Sequence, residues 1–320
     1  MFDLDISGDP ERRKLTANLL TVTHAQDETI MKSHFMVKMR AKSGLDDMMR
    51  DDKDLTACDI IKKLVLTAIP ASLGILIGFS QETINLIFIG SLNDPPLLAA
   101  LGLGNLFVNI GGYAVFYGLN GAMETFVAQA KGAGDLRQCG IYLQRGRIVT
   151  FFMFLIVALI LSQAGQILVF LGQDPKVSLL AGEYVMAITP GILFMALFDV
   201  QRRFLIVMGH SSYQLYVVFF STFLHIGWNY LFIIKLKLGI IGVGYTASIS
   251  NMVQFLGNLM MLYCSKDMRE ALKVSICHKE VWGNFCEYLV VGIPGTIIMM
   301  IAWGTYEILN IMSGLLGVHQ

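Results

Sequence analysis

RIVTFFMFLIVALILSQAGQILVF, residues 147–170, decides the fold. No charged residue follows Arg147 until Asp174. About 20 mostly apolar residues suffice for a helix to cross a bilayer. A soluble helix of this length would carry a polar stripe at 3.6-residue spacing, and this one is apolar on nearly all sides. Six further runs read the same way, at 64–90, 97–122, 184–200, 213–234, 239–263 and 286–314, and none holds a Lys or Arg in its interior. The expectation is an all-α, polytopic transmembrane bundle.

Composition agrees. Of 320 residues, 55% are hydrophobic and 15% charged, and mean hydropathy is +0.61. A soluble domain carries about a quarter of its residues as charged side chains. Net charge is zero, which leaves no basic excess for nucleic acid. Charge gathers at the start, where 11 of the 24 Lys and Arg and 12 of the 24 Asp and Glu precede Leu64. The chain therefore divides into a polar tail at 1–63, a six-helix bundle at 64–263, a loop at 264–285 and a seventh helix within 286–320. The acidic opening Met1-Phe2-Asp3-Leu4-Asp5 lacks the apolar core of a signal peptide.

Loop charges predict the orientation. Lys131, Arg137, Arg145, Arg147, Arg202, Arg203, Lys266, Arg269, Lys273 and Lys279 fall on one side, against Lys176, Lys235 and Lys237 on the other. The first set belongs in the cytosol, and the N-terminal tail with it. Cys58, Cys139, Cys264, Cys277 and Cys286 then sit at the cytosolic side, where thiols stay reduced. No His/Cys cluster has metal-ligand spacing, and no glycine pattern forms a phosphate loop.

The first and seventh helices look alike. Ile69-Pro70 and Ile293-Pro294 each open an apolar run that carries one acid followed three positions later by asparagine: Glu82 with Asn85, and Glu307 with Asn310. Residues three apart share a helical face. A carboxyl placed in the bilayer is costly and marks a cavity or a partner, so these four are candidates to bind a coupling cation. Trp303 and Tyr306 stand beside Glu307 and could stack on a cationic ligand. Glu124 and Asp199 lie near helix ends within reach of Arg202 and Arg203 and read as structural or gating groups. Tyr113, Phe116, Tyr117, Trp228 and Tyr230 read as packing. Pro70, Pro190 and Pro294 can kink their helices and free carbonyls.

Longer motifs carry a resemblance. Gly121-Ala-Met-Glu124-Thr125-Phe-Val-Ala-Gln129-Ala-Lys-Gly132-Ala133 resembles the end of the second helix of multidrug and toxic compound extrusion (MATE) transporters. Gly140-Ile141-Tyr142-Leu143-Gln144-Arg145, Gln201-Arg202-Arg203-Phe204-Leu205 and the run from Pro294 through Trp303, Tyr306-Glu307 and Ser313-Gly314-Leu315-Leu316 are similar to later family motifs. The resemblance covers roughly 60–316. It implies two six-helix lobes around a cleft and export of organic cations or metabolites in exchange for protons, or sodium in some bacterial members. It implies no enzyme activity, catalytic residue, metal site or cofactor beyond the coupling ion, and a site in the plasma membrane or a vacuolar or vesicular membrane. Glu307 falls on the second acidic position of the seventh-helix motif; Ala302 occupies the first, and Asn85 stands where bacterial members carry Asp. Members have twelve or more spans and this sequence holds seven, so a fragment, pairing with a second chain that supplies the other lobe, and a non-transporting protein all stay open. A lipid-linked oligosaccharide flippase of the same superfamily is a further alternative, opposed by the lack of Lys or Arg inside the runs.

Overall fold

The computed structural model describes residues 57–315. Most of the expected tail, residues 1–56, lies outside the described residues. Ten α-helices follow in order: α1 (Ala57–Gly90), α2 (Pro95–Val108), α3 (Ala114–Gly132), α4 (Leu136–Leu161), α5 (Ala164–Phe170), α6 (Pro175–Met208), α7 (Ser211–Asn229), α8 (Gly239–Cys264), α9 (Arg269–Leu272) and α10 (Phe285–Leu315). Among the described residues there is no strand, and the fold is an all-α membrane bundle.

Local chemistry sets the helix ends. The Asp135 carboxylate accepts from the Gln138 N–H at 2.9 Å and caps α4. Asp174 accepts from the N–H groups of Lys176 and Val177 at 2.9 and 3.0 Å, ahead of Pro175 at the first helical position of α6. Gly209, at φ 95°, closes α6 in the left-handed conformation that a side chain would disfavour.

Among the described residues, six helical segments are long and apolar enough to cross a membrane: Leu64–Gly90, Pro95–Gly132, Leu136–Leu161, Pro175–Met208, Ser211–Lys235 and Phe285–Glu307. Their outward faces are greasy, with Ile87, Leu159, Val290 and Ile298 at 65–72% exposed. The remaining expected run, 239–263, forms α8, 26 residues long, and falls short of the others in hydropathy because it carries an inward polar stripe of Thr246, Ser250, Asn251, Gln254 and Asn258. The run at 147–170 is two helices, since the chain breaks at Ser162 and Gln163 between α4 and α5.

Several expected loop residues are helical. The expected 184–200 run is the interior of a 34-residue helix, so Arg202 and Arg203 lie within α6. Arg145 and Arg147 lie in α4, with Cys139 buried in its first turns. The expected loop at 264–285 is a docked belt. Arg145, 4% exposed, donates to the carbonyls of Glu280 and Val281 at 2.7 and 3.3 Å, and the Gln144 amide donates to the Val274 carbonyl at 3.1 Å. A buried guanidinium is thus satisfied by carbonyls of the segment that leads into α10.

Small residues bring the helices close, as packing within membranes requires. α6 crosses α8 where Gly244 abuts Ala187 and Gly191 abuts Ser248, whose hydroxyl donates to the Ala187 carbonyl at 2.9 Å. α10 crosses α3 where Gly118 faces the backbone of Gly295 and Thr296, and the Thr296 hydroxyl bonds the Val115 carbonyl at 3.3 Å. Pro70, Pro190 and Pro294 are all inside helices, as expected.

Candidate substrate cavity

A cavity of about 360 Å³ opens among α1, α2, α3, α6, α7, α8 and α10. Glu82, Asn85 and Trp303, three of the six expected cavity residues, line it. A π-helical turn, Asn109–Tyr113, joins α2 to α3 and turns Asn109 and Tyr113 into it. Such wide turns recur at functional positions because they re-aim side chains within a continuous helix.

One wall is aromatic. The Tyr117 ring lies 5.6 Å from Trp303 and 6.4 Å from Tyr113, centroid to centroid. Tyr113 and Tyr117 were expected to serve packing, and the structure places both on the cavity. Tyr184 lines it too, its hydroxyl donating to the Asn105 side-chain oxygen at 2.6 Å.

A second wall is a neutral polar network. Asn85 Oδ1 accepts from His225 Nε2 and from Asn229 Nδ2, each at 2.9 Å. An amide oxygen only accepts, so His225 carries its proton on Nε2, and Nδ1 accepts from the Ser250 hydroxyl at 2.8 Å. Gln254 donates to Gln81 at 3.3 Å, and Gln81 donates to the Thr222 hydroxyl at 2.9 Å. Sequence reasoning missed His225, Asn229, Asn251 and Gln254. Their signal was a stripe: Ser221, His225 and Asn229 recur every four residues on one face of an otherwise apolar helix.

The acids divide. Glu82 faces the cavity and has no hydrogen-bond or ion-pair partner among the described residues, and Glu307 is near enough for the two charges to interact. Glu307 accepts from the Asn109 amide at 3.1 Å. Trp303 and Glu307, four residues apart, share the inward face of α10, whereas Tyr306 is 71% exposed. That overturns the expected place of Tyr306 in the cavity: adjacent positions on a helix diverge by about 100°, which swings Tyr306 to the flank. The Asn310 side chain lies outside the described residues.

At the far end of the cavity Arg202 and Arg203 enter the lining. Asp199, fully buried, binds Arg202 through Oδ1 at 2.5 Å and Arg203 through Oδ2 at 2.8 Å. Arg203 also pairs with Glu124 at 2.5 Å and donates to the Tyr117 carbonyl at 3.0 Å. Asn120 donates to Asp199 at 3.0 Å and accepts from the Thr150 hydroxyl at 3.0 Å. Two guanidinium and two carboxylate groups thus form a neutral cluster that ties α3, α4 and α6 together. Glu124 and Asp199, read from the sequence as structural or gating groups that could stay hydrated or pair with a cation, are paired with these arginines. The expectation that no arginine lies inside a span fails here.

Known proteins match this chain. The MatE family profile matches residues 70–231. Protein DETOXIFICATION 49 of Arabidopsis thaliana is 28% identical over 80% of this chain and 50% of its own length. Multidrug and toxin extrusion protein 1 of Rattus norvegicus is 27% identical over 81% of this chain and 45% of its own. The chain spans about half the length of these curated relatives. The crystal structure of the eukaryotic MATE transporter AtDTX14 superposes with a TM-score of 0.74 at 22% identity, over 80% of this chain and 56% of that one. A profile matching half of the sequence, on a bundle that superposes on a solved transporter of that name, makes this polytopic membrane protein a member of the MATE family.

Proposed function

We propose that this chain forms one bundle of a secondary transporter that exports small organic cations or metabolites in exchange for protons. Sodium is the alternative coupling ion. The observation that supports this most is Glu82, a carboxyl that faces the cavity without a hydrogen-bond or ion-pair partner among the described residues. Such a group is free to exchange a proton for a cation. Glu307, held by Asn109, supplies a second negative centre, and Tyr113, Tyr117 and Trp303 offer ring faces to an organic cation. Loading with a proton or with substrate changes the charge between α1 and α10, and that difference biases which side is open. A second six-helix bundle facing the first completes the cleft. The basic end lies in the cytosol, in a plasma membrane or a vacuolar or vesicular membrane.

The flippase reading draws on the cavity arginines, since such a site needs cations for a pyrophosphate. Asp199 and Glu124 offset both charges here, which favours the cation reading. The test is uptake of a cationic dye by vesicles under an imposed pH gradient. We expect Glu82→Gln and Glu307→Gln each to cut gradient-driven uptake at least about tenfold, the scale of losing one charged partner. Unchanged uptake in both variants overturns the proton assignment. A wild-type chain that moves nothing favours the non-transporting reading.

A further inference from the structure

A second concavity, about 790 Å³, opens on the outer surface among α5, α6 and α8, and no residue of α10 lines it. Most of its wall is apolar: Val169, Leu179, Met186, Ile241 and Tyr245, with Leu179 and Met186 66% and 54% exposed. It is deep because Gly165 of α5 and Gly182 of α6 touch backbone to backbone, leaving no side chain to fill the cleft.

Within this wall stands Glu183, exposed, with no hydrogen-bond or ion-pair partner among the described residues. One turn deeper, Met186 and Pro190 both line the groove. Proline has no N–H, so the Met186 carbonyl receives no i→i−4 bond from residue 190. An unpaired carboxylate thus stands in an apolar surface, about one turn from that break in the helix bonding. Lys176 lies about 10.5 Å along the axis from Glu183, too far to pair.

Depth completes the picture. α6 has 34 residues, a length of about 51 Å against a hydrocarbon core of about 30 Å. Glu183 is about 12 Å from the helix start. A centred helix therefore sets it at the edge of the core, at headgroup level, with the apolar wall running inward. An unpaired carboxylate wants a cation that can donate hydrogen bonds, which a primary ammonium does and a quaternary one does not.

We propose that this groove binds phosphatidylethanolamine, its ammonium on Glu183 and one acyl chain along Met186, Ile241 and Tyr245. The site is independent of the cavity and of the transport reading. The test is native mass spectrometry of the purified full chain with equimolar phosphatidylethanolamine, its mono- and dimethyl derivatives, and phosphatidylcholine of the same acyl chains. Retention should fall as N–H donors are lost, with about a tenfold preference for the primary amine over the quaternary one. Glu183→Leu, at unchanged melting temperature, should bring that ratio to about one, and soluble phosphoethanolamine should not compete. Equal retention of the end members by the wild type, a preference that survives Glu183→Leu, or displacement by soluble phosphoethanolamine each overturns the proposal.

Discussion

Asp199 and Glu82 are both carboxyl groups inside apolar helices, and they live in opposite surroundings. Asp199 is saturated: two guanidinium groups and the Asn120 amide use both its oxygens. Glu82 faces a cavity with no protein partner among the described residues. The difference is one of availability. A saturated carboxylate cannot take up a cation without dismantling its bonds, whereas an open one can do so without disturbing the fold.

The largest expected effect tests that contrast directly. Asp199→Asn leaves two largely buried guanidinium groups short of a counter-charge, and removing one partner of such a cluster costs about 3–5 kcal/mol. Thermal unfolding in detergent should show a large loss for Asp199→Asn and a shift within about 0.5 kcal/mol for Glu82→Gln. Comparable losses in the two variants would erase the distinction.

His225 offers an intermediate case. It holds Asn85 and Ser250 through both ring nitrogens while the Glu82 carboxyl stays free. His225→Leu should cost about 1–3 kcal/mol by stranding two buried polar partners, measured by the same unfolding. A paired His225→Leu/Asn85→Leu variant should recover part of that loss. No recovery would mean that the pair does not act as a unit.

The smallest effect lies outside the membrane. Arg137 meets Glu280 at 3.1 Å in an exposed pair, and the hydrogen bond from Arg137 holds the Glu280 carboxyl below the ordinary carboxylate range. A depressed carboxyl stabilises above its unfolded pKa and loses that contribution as pH falls through its folded one. Glu280→Gln should therefore change stability slightly at neutral pH and not at all once Glu280 is protonated in acid. Unfolding scans across that range check it, and a pH-independent difference would break the assignment.

Much of this was legible beforehand, for reasons visible in particular residues. The spans announce themselves because lipid demands apolar side chains on every outward face. Glu82 and Glu307 stand out because a charge in such a run is costly. His225, Asn229 and Gln254 were harder, because neutral polar residues are ordinary in membrane helices and only their shared face reveals a purpose. Tyr306 misled by its nearness to Glu307, since adjacent residues point about 100° apart on a helix. Arg202 and Arg203 read as loop cations because nothing local shows that α6 continues to Met208. Their counter-charges, Glu124 and Asp199, come from two different helices.

Sequence alone determined that this protein is a polytopic helical bundle of MATE type with acids in its first and seventh helices. Hydropathy and short motifs are local properties, written in consecutive residues. Which acids are saturated and which stand open, whether Tyr113 and Tyr117 pack or line a cavity, and that the 265–284 segment is a docked belt were decided by tertiary structure. Asp199 meets its two arginines along its own helix once α6 runs on to Met208, and the rest depends on what neighbouring helices, distant in sequence, place beside each group.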